Sequence, residues 1–352
     1  YEMQRSLVGS EMCIRDSSQR MKRNYTIIPL FLLLFVAMVA CSNKSRNNAD
    51  SEGKQPQSTV NVPQFDADSA YQYVKAQVDF GPRVPNTAAH RACGEYLVKK
   101  LEQFGATVYS QQVDLIAYDG TLLKARNIIG SYKPETKKRI LLLSHWDSRP
   151  WADADPDEKN RHTPILGAND GASGVGVLLE IARQLHKQQP ELGIDIVLVD
   201  AEDYGPHQSY EGTHKEEQWA LGSQYWAQNP HVQGYNARFG ILLDMVGAKD
   251  ATFLYEGYSE EFAKGINRKV WNTANNLGYG RYFVKERGNT VTDDHLFVNR
   301  NARIPTIDII QCSEETGFYE NWHTLKDDMD GIDRNTLKAV GQTIMEVIYK
   351  EK

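Results

Sequence analysis

Cysteine is scarce in this chain, 4 in 352 residues, and Cys13 and Cys41 stand outside the part that reads as folded. The two that remain, Cys93 and Cys312, cannot build a thiolate-rich zinc site or a disulfide framework. They are either one bridge formed in an oxidising compartment or two inert core thiols. A basic excess is lacking too: the formal net charge is -6 and the pI is near 5.9. With no basic face, nucleic acid is not an expected partner. No apolar run reaches the length of about 20 residues that a membrane-spanning helix needs; Thr26–Ala40 falls short of it. From Pro63 onward there is no internal repeat and no mid-chain linker, so this part is expected to bury one large core.

The N-terminal portion reads in three pieces. Tyr1–Arg20 has no folding pattern, and Val8–Ser17 resembles translated sequencing adapter, so residues 1–20 are taken as a non-native extension. Met21 starts a leader: Lys22 and Arg23 precede the apolar core Thr26–Ala40, as in a signal peptide over 21–40. The leader ends in Met38-Val39-Ala40-Cys41, which resembles the lipobox of bacterial lipoproteins, with Cys41 as the lipidated residue and plain secretion as the alternative. Residues 41–65 are polar, lack apolar periodicity and read as a flexible tether. The expectation is an exported, periplasmic protein held to a membrane of a Gram-negative cell by its lipid alone, with residues 66–352 as a single catalytic domain and a monomer as the default state.

Strands and helices alternate along that domain. Helices are expected over Ala67–Phe80 and Thr87–Phe104, the second stopped by Gly105. Thr107–Leu115 alternates like an edge or antiparallel strand, and Ala125–Ile129 begins another. Arg139–Ser144 and Ile194–Val199 are continuous apolar runs, the mark of strands covered on both faces. A helix follows Asp170; further strands are expected at Phe239–Leu243, Thr252–Tyr255, Tyr282–Val284 and Ile304–Ile310, with helices at Glu260–Asn276 and around Leu337–Val347. This order gives an α/β fold, a three-layer sandwich with a mixed, largely parallel sheet and helices on both faces. Two long loops, Arg149–Leu166 and Asp203–Glu216, interrupt it, and loops of that length are usually functional.

In such sheets ligands sit outside the carboxyl ends of the strands. His145, Asp147, Glu202, Asp203 and Asp244 all follow buried strands at that end. Any one alone is as well explained as a cap or turn residue; five together are not. Asp170 sits in the Gly-rich turn Leu166–Ser173, Asp293-Asp294-His295 opens a short helix, and His323 follows the last strand. Oxygen and imidazole donors without thiolate fit catalytic zinc better than structural zinc.

At these residues the chain resembles a known family. Gly167–Ser173, Asp200–Asp203, Leu243–Gly247, Asp294-His295 and Trp322-His323-Thr324 are similar to the zinc aminopeptidase clan, and more closely to its animal-type glutaminyl-peptide cyclotransferase branch. The Asp293-Asp294-His295 triplet and the Trp322-His323 pair resemble the cyclotransferases, whereas His145-x-Asp147 occurs in both branches. The resemblance implies one zinc ion held by Asp170, Asp203 and His323, with Asp203 standing where the animal enzymes have Glu. It implies Glu202 as the proton-transfer group, Asp244 and Asp293 as acids sharing a proton beside the reacting nitrogen, and Trp322 as a pocket face. Trp146, Trp151 and Trp219 on the long loops are further candidates for the pocket wall. The implied substrate is the N-terminal glutamine of a peptide or protein, closed to pyroglutamate with release of ammonia. A zinc aminopeptidase with a second ion on His145, Asp170 and Asp244 is the alternative, and a substrate-binding lipoprotein on an inactive scaffold a third reading, disfavoured because no candidate ligand is missing.

Overall fold

The computed structural model describes residues 60–352, and Asn61–Lys352 fall in one compact unit. The extension (1–20), the signal peptide (21–40), Cys41 and most of the tether lie outside the described residues. The strands are β1 (Thr107–Ile116), β2 (Leu122–Tyr132), β3 (Arg139–His145), β4 (Gly193–Val199), β5 (Gly240–Leu243), β6 (Phe253–Tyr255), β7 (Phe283–Arg287), β8 (Thr306–Ile309), β9 (Cys312–Ser313) and β10 (Gly317–Phe318). Six of them form one sheet in the order β1-β2-β4-β3-β5-β8. The pairs β1/β2 and β2/β4 are antiparallel, and β3/β4, β3/β5 and β5/β8 are parallel, so the sheet is mixed as expected.

Every residue of β3 and β4 is buried. The reason is the period of two along a strand: Ile140 and Leu142 pack into the core on one face, Leu141 and Leu143 into the core on the other. The helices that cover these faces are α1 (Ala67–Val78), α2 (Ala88–Gln103), α3 (Ala172–Lys187), α4 (Leu221–Gln228), α5 (Gly257–Phe262), α6 (Lys264–Asn276), α7 (Asp294–Phe297) and α8 (Arg334–Lys350). Val74 of α1, Leu97 of α2, Leu178 of α3 and Ile344 of α8 share the larger core, and Trp226 of α4 anchors the opposite one.

The stretch expected as one helix over Glu260–Asn276 is two. Glu256 accepts from the N–H groups of Tyr258 and Ser259 and so starts α5 at Gly257, and Ala263, at φ -141, breaks the chain before α6. Cys93 is a buried thiol of α2 whose pKa burial pushes up to about 12, which fits an inert core residue. Cys312 on β9 accepts from Asn289 Nδ2 at 3.6 Å.

Candidate metal centre and pocket

The carboxyl ends of β3, β4, β5 and β8 converge with the Asp170 turn and the His323 loop around a small pocket. Its walls include Asp170, Glu202, Asp203, Trp219, Asp244, Asp293, Trp322 and His323, so eight of the ten residues given a zinc-binding, acid or pocket-wall role by the cyclotransferase resemblance meet at one place. Two do not. Trp146, one residue past β3, is fully buried on the far side of the sheet edge, stacked on His90 with ring centroids 4.3 Å apart and donating from Nε1 to the Arg126 carbonyl. Its neighbours His145 and Asp147 point to the site, so a period of two turns Trp146 away. Trp151 packs against Tyr118, Tyr204 and His207 and is not among the pocket walls.

Each ligand-bearing loop is held by its backbone. Asp327 accepts from the N–H groups of Asn169 (2.8 Å) and Asp170 (3.1 Å), and Arg83 donates to the carbonyls of Leu166 and Gly167. Gly167 adopts φ +58, where a Cβ would lie 2.3 Å from the Asp170 carbonyl oxygen; at Gly171, φ +90, a Cβ would strike the His145 ring. Only glycine lets this turn bring Asp170 so close to the sheet. Asp147 does for the next loop what Asp327 does here, accepting from the N–H groups of Glu202 (3.2 Å) and Asp203 (3.1 Å). Three non-glycine residues at the rim, Ala201, Met245 and His323, have φ of 53, 48 and 53. Such left-handed backbone costs free energy and tends to cluster where side chains must be aimed.

Two carboxylates and one imidazole meet as a donor set. His323 Nε2 lies 3.1 Å from Asp203 Oδ1 and 3.5 Å from Asp170 Oδ2, and the three groups offer ligand atoms within 4.8 Å of one another. Asp203 Oδ2 is buried with no hydrogen-bond partner, an acceptor in want of a cation. The His323 ring is oriented by Trp322, stacked at 3.6 Å, and by Asp153, whose Oδ1 is 3.4 Å from Nδ1. A carboxylate behind a ligating imidazole is the usual support of a bound metal. Arg149 in turn holds Asp153 through two nitrogens, at 2.8 and 2.5 Å, and keeps its carboxyl well below the usual range against the opposing effect of burial.

The acids beyond the triad carry too few donors. Burial first, then the neighbouring Asp293, Asp203 and Asp294, push the Glu202 carboxyl well above its ordinary value although His145 pulls the other way. Burial and the Asp170 charge raise Asp244 to about 7, and the same two causes raise Asp203 to about 6. His145 Nε2 is 3.0 Å from Asp170 Oδ1 and 3.1 Å from Asp244 Oδ1, so Asp244 has an imidazole rather than Asp293 as its hydrogen-bond partner. Asp293 Oδ1 instead accepts from the N–H of Asp294, and its Oδ2 has no hydrogen-bond partner. The sequence reading did not single out Asp308, Glu256, Asp327, Asp153, Arg83 or Arg149. The available signal for Asp308 was an acid flanked by Ile307 and Ile309 in a strand expected to be buried.

A zinc-exopeptidase-like α/β sandwich with a buried carboxylate-imidazole centre defines the class. Residues 127–348 match the family model of peptidase family M28, and the chain belongs to that family. Within it, a crystal structure of a glutaminyl cyclase from Bacteroides thetaiotaomicron, bound to N-acetylhistamine, is 74% identical, with TM-score 0.82 over 83% of this chain and 100% of that one. A Zn-dependent exopeptidase from Parabacteroides distasonis is 57% identical, with TM-score 0.81 over 83% of this chain and 100% of that one. The glutaminyl-peptide cyclotransferase of Bos taurus is 27% identical over 257 residues, 64% of this chain and 65% of its own length. The chain thus spans just under two thirds of that curated relative.

Proposed function

We propose that this chain is a zinc-dependent glutaminyl-peptide cyclotransferase, closing an N-terminal glutamine to pyroglutamate with release of ammonia. The observation that carries this reading is the pocket wall, where Glu202, Asp244, Asp293 and Trp322 stand together beside Asp170, Asp203 and His323. Those last three residues would hold the ion, and their buried oxygen and imidazole donors fit zinc. Bound there, zinc supplies Lewis acidity toward a carbonyl oxygen.

The chain's own residues do the rest. The pocket is small, and Trp322, backed by Phe318 at 4.8 Å between ring centroids, offers a flat face for a glutamine side chain. The nucleophile is the substrate's own α-amine, so the enzyme has no water to activate; holding the amine against the side-chain amide carbon supplies the intramolecular advantage. As the new carbon–nitrogen bond forms, Glu202 takes a proton from the amine and returns it to the departing amide nitrogen. The old carbon–nitrogen bond breaks, ammonia leaves and Glu202 is restored. A carboxyl raised toward neutrality suits both halves of that transfer. Asp244 and Asp293 accept hydrogen bonds from the nitrogens on either side of it.

We infer one ion rather than two from the resemblance to the cyclotransferases, whose Asp293-Asp294-His295 triplet and Trp322-His323 pair this chain carries. The triple His145, Asp170 and Asp244 supports the second reading, a two-zinc aminopeptidase. One experiment separates them: metal content together with ammonia release from a Gln-initiated peptide and anilide hydrolysis from a leucyl substrate. Ammonia with one zinc per chain supports the cyclotransferase; anilide hydrolysis without ammonia overturns it. Exported peptides as substrates and anchoring through Cys41 belong to the same proposal and rest on the leader sequence.

A further inference from the structure

On the far side of the sheet edge, beside Trp146, α2 sends one polar side chain to the end of β4. Thr87 caps α2 by accepting the His90 N–H at 3.1 Å, so His90 stands in the first turn, and its ring stacks on Trp146. His90 Nε2 lies 3.0 and 2.8 Å from the two oxygens of Asp200, the first residue past β4. Both side chains are buried, and the reaction proposed above uses neither. His90 also borders a cavity whose walls include Gly94, Gln112, Lys124 and Arg126, so packing does not close around its ring on every side. What fixes the ring is the stack on Trp146 and the pair of carboxylate oxygens.

Asp200 collects donors from three directions. Besides His90, its Oδ2 accepts the Arg126 N–H at 2.6 Å and its Oδ1 accepts the Ala201 N–H at 2.8 Å. The main-chain pairing of β2 with β4 stops at Ile128 and Leu198, so through Arg126 the Asp200 carboxylate carries the link between these strands two residues further. Ala201 has left-handed backbone at φ 53, which costs a non-glycine residue free energy and persists only where neighbouring contacts hold it. The next residue is Glu202, on the pocket wall. Two of the donors to Asp200 are main-chain N–H groups, and His90 is the side chain among them. Burial raises the Asp200 carboxyl above its ordinary value, and His90 is the strongest influence the other way. A carboxylate already taking two N–H groups accepts from the third, so His90 presents Nε2–H, and its buried Nδ1, without a partner, is a bare acceptor.

We propose that His90 is a positioning residue: by clamping the Asp200 carboxylate it fixes the left-handed bend at Ala201 and so aims Glu202 into the pocket. The chain past the bend has supports of its own. Asp147 accepts from the N–H groups of Glu202 and Asp203, Ala220 donates to the Glu202 carbonyl and Arg149 to the Asp203 carbonyl. Loss of the clamp therefore moves the bend and the residue next to it, and leaves Asp203, two residues on, in place. In the cyclotransferase reading, on which the activity part of this inference rests, a misdirected Glu202 lowers turnover without releasing the metal. His90 acts only through Asp200, since it does not line the pocket.

The test varies the donor at position 90. In His90→Gln the amide nitrogen reaches Asp200 where Nε2 stood, so kcat for ammonia release should stay near the parental value. His90→Leu has no donor and His90→Asn is too short to reach Asp200; each should lose about tenfold or more in kcat, because a misplacement of about 1 Å at a reacting group can cost about 10²-fold. KM and zinc content should change little in both, which separates a misdirected Glu202 from a distorted pocket. A measurement without substrate or zinc stands beside it. In hydrogen exchange of the metal-free protein, the peptide carrying Ala201 and Glu202 should exchange faster in His90→Leu than in the parent or in His90→Gln, while the Asp170 turn, held by Asp327, should not change. The proposal is overturned if His90→Leu and His90→Asn keep parental turnover, if His90→Gln falls as far as they do, or if zinc is lost in step with turnover. It is overturned as well if exchange at the bend is unchanged, or rises through all of α2 and β4 alike. Should His90→Leu fail to fold, His90→Asn carries the same comparison. If the wild type releases no ammonia at all, the cyclotransferase reading fails, while the exchange result still decides whether His90 holds the bend.

Discussion

Strand β4 carries buried aspartates near both of its ends, and they are treated in opposite ways. Near its start, Asp195 accepts from Arg139 Nε at 2.5 Å and Nη2 at 2.7 Å, from Tyr235 Oη at 2.8 Å and from Ser131 Oγ. Four donors fill the lone pairs of one carboxylate. Past its other end, Asp203 Oδ2 has no donor, and across the pocket neither do Asp293 Oδ2 nor either oxygen of Asp294 and Asp308. Burial of an acid is thus common to both regions and marks neither as a site. Several carboxylate oxygens left over together after the protein's own donors are spent are the mark, because such atoms are costly to bury unless a cation, a proton or a substrate meets them.

The sharpest way to use that contrast is to remove one acid from the under-supplied end. Glu202→Gln should lower kcat by about 10²- to 10⁴-fold, the usual contribution of a positioned proton-transfer group. Zinc content should be unchanged, since Glu202 is not in the donor triad, and the variant should be no less stable than the parent, because an amide has no charge to desolvate. Near-normal turnover would remove Glu202 from its role. At the saturated end the expectation inverts. Arg139→Met leaves Asp195 charged, buried and short of its cation, and should lower stability by about 3–5 kcal/mol. Turnover per folded molecule should stay at the parental value, and adding Asp195→Asn should recover part of the lost stability in urea unfolding. A loss of turnover larger than the loss of folded protein would mean that the two ends are coupled through β4, and the contrast would fail.

The same contrast explains what could be read from the chain alone. Continuous apolar runs need no partner to be recognised, and β3 and β4 were expected within a residue of where they lie. Glu202, Asp203 and Asp244 were legible because they follow such runs, and Asp170 and Asp293 only through the resemblance of the motifs around them. Asp327 and Asp153 were not, because their roles are hydrogen bonds to Asn169 and Asp170 and an ion-pair contact with His323, made across long stretches of chain. Glu256 reads locally as the cap of α5, which it is; its further contacts with Val291 and His295 are tertiary. Trp146 was taken with Trp151 and Trp219 as a loop aromatic for the pocket wall, although the alternation of β3 carried one residue further puts it on the other side from His145 and Asp147.

The smallest expected effect is also the most general consequence of too few donors, a pH dependence of stability in the metal-free protein. Burial first, and then the Asp170 charge, raises Asp244 to about 7 and Asp327 to about 8, whereas an unfolded Asp titrates near about 3.9. Between those limits the native state holds protons that the unfolded chain has released, so stability is greatest on the acid side and falls as pH rises. His145 and His323 add to the fall, since both are raised above their ordinary value by neighbouring carboxylates in spite of burial. Asp153 and Asp170 are lowered, so what they contribute is lost only in stronger acid and does not tilt this range. Each proton contributes a slope of up to about 1.4 kcal/mol per pH unit. Urea unfolding of chelated protein from pH 5 to 8 should therefore show a falling stability, and zinc should flatten it, because the metal binds best once Asp170, Asp203 and His323 have shed their protons. A stability that rises over that range without metal would mean that the acids at this end are as well supplied with donors as Asp195.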